Sequence, residues 1–525
     1  GDSILSIQII AKANTAGVQL SAKQMFEHQT IAELAAVASC VGANQVEQGV
    51  VSGALPLTPI QQWFFEEDFA SPAHWNQAVL LEMQPGIQPN LLEQVVHSIL
   101  VHHDALRLRF ERTNTGWQQM NAPVDDTVPF TVVDLSALPQ SEQLAAIEAK
   151  AKELQASLDL SSGPLVRVAW LNLGFELNSR LLVVIHHLAV DGVSWRILLE
   201  DLQVAYSQLS AGGAIQLPPK TTAFKDWAQL QLEYVQSQDL QHHRDFWLLQ
   251  SKQPVANIPV DNSGGANIEA SARTVSVSLS VEETRALLQE VPKAYNTQIN
   301  DALLTALAQV LANWTQSSHV LFNLEGHGRE DFLDSVNVSR TVGWFTTIFP
   351  VVVQLATDHP GEALKSIKEQ LRRIPSQGIS YGWLRYLLED AEITAQLQAQ
   401  PKAQVVFNHL GQFDGVVQTS GIFKLAGESS GPSRSPHNRR SHLLEVNTMI
   451  IGAVLRVDWT YSENLHHSST IESVAHEFLQ ALRELLAHCL APDAGGYTPT
   501  DFPAAGLSQT DLDELFAQLE EEVDS

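Results

Sequence analysis

His186 and His187 are the residues whose type and setting best suit acid–base chemistry. They close the apolar run LLVVI (181–185) and are followed, after Leu188-Ala189-Val190, by Asp191 and Gly192. An imidazole can take or give a proton near neutral pH. The next stretch, SWRILLEDLQVAYSQL, carries Trp195, Leu198, Leu199, Leu202 and Leu209 at helical spacing. A strand end, a loop and a helix start therefore converge on these residues. Gly192 lets the backbone approach closely, and helix-start amides offer positive dipole to a developing anion. The pairs His102-His103, His242-His243 and His466-His467 lack the strand and Asp-Gly setting. Adjacent histidines at a strand end point apart, and nothing nearby supplies further ligands at metal spacing, so no metal is expected.

A carboxylate of interest opens the block Glu325-Gly326-His327-Gly328-Arg329-Glu330, which follows the apolar run VLFNL. Glu325 stands at a strand end with two glycines making room beside it. From the residues alone, an ion pair with Arg329 in a structural loop is the simpler reading. GISYG (378–382) fits the GxSxG text of a nucleophile elbow. It follows LRRIPSQ, which is no buried strand, so Ser380 reads as a decoy. Asn408, in FNHLGQ, either donates a hydrogen bond in a site or caps a turn.

The chain that must position these groups has 525 residues, room for two or three units of roughly 150 residues each. A formal charge of −28 opposes nucleic acid and anionic membranes, and no basic patch is evident by eye. Cys40 and Cys489 stand far apart in no redox or metal spacing, as in a reducing cytoplasm. No apolar run reaches membrane-spanning length and no signal-peptide pattern opens the chain. Residues 1–41 read as two short helices, the second opened by a Thr30/Glu33 capping box with Ile31, Leu34, Ala35 and Ala38 facing inward. Residues 42–55 read as a linker. Residues 56–220 and 221–490 alternate strands and helices, an α/β pattern in two lobes. Residues 491–525 form a tail whose helix has Ser508 and Asp511 as its cap, an apolar face of Leu512, Leu515, Phe516 and Leu519, and an acidic remainder. It reads as a helix packed on the domain or as a docking element for a next protein.

The text HHLAVDG resembles the HHxxxDG signature of the condensation superfamily of nonribosomal peptide synthetases, and HHLAVDGVSWRIL resembles its epimerisation branch. PLTPIQQWFF (56–65), NLEGHGRE (323–330), RTVGWFTTIFP (340–350), PSQGISYGWLRYL (375–387) and FNHLGQFD (407–414) agree in order. Trp63-Phe64 and the EGHGRE block are similar to the epimerising rather than the peptide-bond-forming members. The opening GDSILSIQ resembles a carrier-domain motif in which Ser3 receives a 4′-phosphopantetheine arm. The residue after Asn408 is His409, where the family usually has Tyr.

The resemblance implies a two-lobed, chloramphenicol-acetyltransferase-like α/β fold, preceded by helices of a truncated, all-α peptidyl carrier domain whose first helix lies outside the sequence. It implies a cytoplasmic, cofactor-independent epimerase. This enzyme would remove the α-proton of an L-aminoacyl or peptidyl thioester held on phosphopantetheine and return it on the other face. His187 and Glu325 would be the catalytic pair, with His186, Asp191, Gly192 and Asn408 in support. Asp191 would orient the loop, and the Asp191-Gly192-Val193 turn would stabilise the enolate oxygen, without which a base alone cannot ionise so weak a carbon acid. An upstream adenylation domain and the downstream condensation domain of a partner synthetase are the implied partners. The alternatives are a condensation domain using His187 to join two carrier-bound substrates, and a platform that binds carriers without catalysis.

Overall fold

LLVVI sits inside a strand, Arg180–His186, in which every residue is buried. Such a strand needs cover on both faces. Val183 and Ile185 pack with Val95 and Ile99 of Pro89–His102 and Leu198 and Leu202 of Gly192–Ser210. Leu182 and Val184 point the other way, onto Ile147, Ala151 and Leu154 of Gln140–Gln155. The computed structural model that shows this describes residues 6–523 apart from 7–8, 11, 14–15, 21–23, 26–27, 29, 41–45, 175–176, 251, 331, 334–335 and 413–420.

In chain order the strands that matter are β1 (Asn76–Met83), β2 (Phe130–Asp134), β3 (Val166–Asn172), β4 (Arg180–His186), β5 (Ala272–Ser278), β6 (His319–Gly326), β7 (Thr347–Gln354), β8 (Val405–Gln412), β9 (Phe423–Leu425), β10 (Leu444–Ile451) and β11 (Val454–Ser462). They form a five-stranded sheet, β9-β1-β4-β3-β2, and a six-stranded sheet, β5-β11-β10-β8-β6-β7. The first is built from residues before 190 except for β9, which crosses from the second half to pair Phe423 with Met83. The helix Gly192–Ser210, α1 below, follows β4.

The second sheet lies on the helices Ile299–Thr315 and Ser468–Cys489, burying Val320 and Phe322 of β6, Val405 and Phe407 of β8 and Val446 of β10 in one core. Side chains alternate along a strand. Asn323 and Glu325, Val406 and Asn408, and Glu445 therefore share the opposite face.

The capping box at Thr30 and Glu33 forms as expected, opening the helix Ile31–Val37. Its expected inner face does not form: no residue of that helix is buried, and Ile31 is 88% exposed. Segments this short enclose no core of their own. In the tail helix Gln509–Val523, Leu512 is buried and Phe516 stacks on Tyr497, whereas Leu515 stays exposed and the side chain of Leu519 lies outside the described residues. A buried pair, Lys368 with Asp501 at 2.7 Å, ties the tail down.

Candidate active site

The two histidines at the end of β4 have different tasks. His186 is fully buried; its Nε2–H donates to the Pro72 carbonyl (2.8 Å), and its Nδ1 accepts from the Leu188 N–H (3.1 Å). Burial holds it far below the ordinary histidine range, at about 3, so it is a neutral anchor. His187 donates its backbone N–H to the Trp75 carbonyl at 2.9 Å. Its ring lies 4.3 Å from that of Trp344, with Nδ1 2.8 Å from the Val190 carbonyl oxygen and Nε2 3.0 Å from the Gln77 amide nitrogen. Burial lowers its pKa to about 4 against the opposing pull of the Val190 hydrogen bond and Asp191, so the imidazole is neutral at pH 7.

Asp191 caps α1, and its carboxylate is saturated. Oδ1 accepts from the Ser194 N–H (2.7 Å), both oxygens accept from Arg329 Nη2 (3.1 and 3.2 Å), and Oδ2 accepts from the Phe345 N–H (3.1 Å). Arg329 also donates to the Val338 and Thr341 carbonyls and lies 3.9 Å above the Phe345 ring. The structure therefore overturns the simpler reading of the EGHGRE block: Arg329 pairs with Asp191, not with Glu325. Gly328 has φ +67°, and a Cβ there would lie 1.6 Å from the Phe345 carbonyl oxygen, so only glycine lets the two segments close.

This clamp fixes the chain from Arg340 to Pro350. Val342, Trp344 and Phe345 are buried in the core of the first half, after which the chain enters β7 in the second sheet. Trp344 meets His187, and Ile348, four residues on, is the cross-strand partner of Glu325. Four residues span at most about 14 Å, so His187 and Glu325 are held at the two ends of one short run.

Glu325 accepts a hydrogen bond from Asn408 Nδ2 at 2.7 Å, as one of the two expectations for Asn408 had it. By surface area its side chain is exposed to solvent, though other protein groups stand close around it. Desolvation by that surrounding protein, then the Glu445 carboxylate, push its pKa up to about 7, while Arg434 pulls the other way. Burial opposes ionisation of Glu445 too, but Arg434, Arg440 and His442 outweigh it and hold this carboxyl at about 2. Arg434 Nη1 reaches Glu269 (3.0 Å) and Glu445 (3.1 Å), and its guanidinium sits 4.1 Å above the Trp75 ring. Trp75 also forms a β-bridge with Arg434 and takes the His187 N–H. Arg434 is thus an electrostatic neighbour of both His187 and Glu325.

Gln77, Trp344, Arg434 and Glu445 were not singled out from the sequence. Arg434, Arg439 and Arg440, three cations within seven residues of a chain carrying −28, were a readable signal for the third. Ser380 is buried, accepts from the Trp247 indole N–H (3.0 Å) and donates to the Pro375 carbonyl (3.1 Å), as befits a decoy. His409 Nδ1 lies 2.8 Å from Thr448 Oγ1. His102, His103 and Asp201 bring their ligand atoms within 4.8 Å of one another, but the Asp201 oxygens are taken by His103 (2.9 Å) and Arg340. Ser3 lies outside the described residues.

A family model for the condensation domain matches residues 51–507. The chain belongs to the condensation-domain family. A second model, the phosphopantetheine attachment site, matches residues 1–38 and implies a covalent phosphopantetheine, for which the Ser3 hydroxyl is the kind of group a phosphodiester link requires. Subunits D and C of linear gramicidin synthase from Brevibacillus parabrevis are 50% identical over 516 residues and 48% identical over 527 residues. These alignments cover 98% and 99% of this chain but only 10% and 7% of those proteins, so the chain spans about a tenth or less of their length. Among solved structures, the epimerization domain from the third module of tyrocidine synthetase B superposes with a TM-score of 0.78 at 39% identity, covering 85% of this chain and 99% of that one. The X-domain from teicoplanin biosynthesis shares the fold, with a TM-score of 0.66 at 19% identity over 86% of this chain and 98% of that one. Among the described residues of this condensation-family chain, no helix is long and apolar enough to cross a membrane.

Proposed function

We propose that this domain inverts the α-carbon of an L-aminoacyl or peptidyl thioester presented on a phosphopantetheine arm, in nonribosomal peptide synthesis. A neutral imidazole from the first half and, from the second, a carboxyl still half protonated at pH 7, held at the two ends of the run from Trp344 to Ile348, carry the reading. The similarity to an epimerization domain supports it. Forming a peptide bond calls for a group to position or deprotonate an amine. It gives no use to an acid prepared in this way.

The His187 lone pair at Nε2 takes the proton from Cα, and the electron pair of the broken C–H bond moves to the thioester oxygen. Glu325, as the acid, gives its proton to Cα from the other face, which leaves an imidazolium and a carboxylate. Exchange with solvent resets both. Asn408 holds the carboxyl in place through Oε2. Gly192 and Val193 are the first residues of α1, whose amides have no acceptor within the helix, and the space beside Gly192 is open; they are the donors assigned to the enolate oxygen. The substrate arrives on a carrier, and adenylation and condensation domains of the synthetase are the partners this role requires.

The test offers an L-aminoacyl carrier in heavy water with no acceptor, then reads chirality and mass after hydrolysis. D-configured product carrying one deuterium supports epimerisation. Retained configuration, with dipeptide formed once an acceptor is supplied, shows a condensation enzyme, and carrier binding with neither outcome shows a docking platform. His187→Ala and Glu325→Gln each abolish inversion if these roles are right.

A further inference from the structure

The proton positions around His187 follow from two groups that have no choice. A carbonyl oxygen only accepts, so the nitrogen 2.8 Å from the Val190 carbonyl, Nδ1, carries the ring proton. In the neutral ring, Nε2 is then a bare lone pair. An indole N–H only donates, so the Gln77 amide atom 2.8 Å from Trp195 Nε1 is the oxygen Oε1. The other end of that amide, the NH₂ group, therefore faces His187 Nε2 at 3.0 Å and donates to it. Gln77 lies on β1 opposite Ile185 of β4, and Trp195 stands in the first turn of α1. One directional chain thus runs Trp195, Gln77, His187, Val190, across two strands, a loop and a helix.

We infer that Gln77 is a positioning residue: with its amide oriented by Trp195, it holds His187 in the Nδ1–H form and occupies the lone pair that must receive the substrate proton. This rests on the proposed role of His187 as the base. An aromatic nitrogen has one in-plane lone pair, so the Cα–H of the substrate reaches Nε2 only as the Gln77 amide moves aside. Gln77 also opposes premature protonation, since an amide N–H repels the N–H of an imidazolium while an amide or carboxylate oxygen would welcome it. The charged and titratable groups facing this ring are His186 beside it, Asp191 on the loop to α1 and Arg434 from the second half, with Trp344 over its face. Gln77 is the group in hydrogen-bond contact with Nε2.

Two substitutions read this out. Gln77→Glu places a carboxylate against Nε2, stabilises the imidazolium and moves the acid limb of the pH–rate profile upward by about 1–3 units. Trp195→Phe leaves the net charge unchanged but frees the amide to turn its oxygen toward His187. The limb then rises by about one unit. Long-range nitrogen–proton NMR of the whole chain labelled at histidine, with the His187 signals assigned through His187→Ala, shows a pyrrole-type Nδ1 and a pyridine-type Nε2 in the parent. The same spectra, taken through a titration, show the upward shift in both variants without any turnover. An Nε2–H tautomer in the parent overturns the inference. So do unmoved titrations in both folded variants, whatever their rates. Failure of the parent to invert any substrate would instead refute the proposed reaction while leaving the tautomer result readable.

Discussion

Glu445→Gln tests whether the acid at Glu325 is made by its surroundings. The substitution keeps the shape of Glu445 and removes the charge that, after desolvation, does most to raise Glu325. It also leaves Arg434 with one carboxylate partner fewer, and the pull of Arg434 on Glu325 is in the same direction, toward ionisation. With its pKa at about 7, half of Glu325 is protonated at pH 7. A fall of one unit leaves about 9% protonated, and a complete return to an ordinary carboxylate leaves about 0.3%. The rate at pH 7 therefore drops between about five- and 150-fold. Desolvation by the surrounding protein is the larger cause and persists in the variant, which places the result nearer the lower bound. The basic limb of kcat/KM moves down by at least about one unit, so the variant recovers most of its rate near pH 5. Scoring D-configured product on a carrier from about pH 4 to about pH 9 gives both quantities. A basic limb that stays in place, or a loss equal at every pH, refutes the claim that Glu445 keeps Glu325 protonated.

Arg329→Met breaks a pair whose side chains are 1% and 5% exposed, a change that costs about 3–5 kcal/mol in general. Asp191 keeps the Ser194 and Phe345 amides, so a loss near the lower figure is expected in urea unfolding, and an unchanged midpoint would contradict the clamp. Ser380→Ala leaves turnover within about twofold while costing about 1–3 kcal/mol, since the Trp247 N–H is left buried without its acceptor; a dead but fully stable variant would reinstate Ser380 as a chemical group. Gly328→Ala forces the Phe345 carbonyl away and strains the backbone, so both inversion and more than about 2 kcal/mol of stability are lost, and a variant with parental melting and turnover would show that the segment is not held there.

The strands that carry the site were legible because their burial demands it. LLVVI, short and rich in β-branched residues, reads as a buried strand, and the two-residue period of a strand puts Glu325 on the face opposite Val320 and Phe322. The partner of Arg329 was not legible. Sequence proximity favoured Glu325, four residues away, whereas the fold brings Asp191 from 138 residues away into contact with both Nη2 and the Phe345 amide. Gln77 was invisible for a related reason: a polar residue near the start of a strand is ordinary, and its meaning comes from a helix and a loop over 100 residues downstream. The inner face assigned to the helix Ile31–Val37 went wrong differently. Periodicity says which face is apolar, not whether anything stands there to cover it.

The sequence blocks read separately turn out to be parts of one joint. Asp191 and Ser194 from the first half, Arg329 from the EGHGRE block, and Gly343 and Phe345 from the RTVGWF block share a single hydrogen-bonded cluster. The members of that cluster sit one to four residues from the groups of the site: Asp191 and Ser194 flank Gly192 and Val193 at the start of α1, Phe345 and Gly343 flank Trp344 on His187, and Arg329 follows Glu325 by four residues. A displacement of one half relative to the other would thus alter His187, its aromatic neighbour and the strand carrying Glu325 together. The buried ion pair is costly to desolvate and is weak evidence for stability as such. Its position between the two halves gives it a different use: it ties the sheet that carries Glu325 to the strand that ends at His187, which is what the proposed proton transfer to and from opposite faces of a single carbon requires.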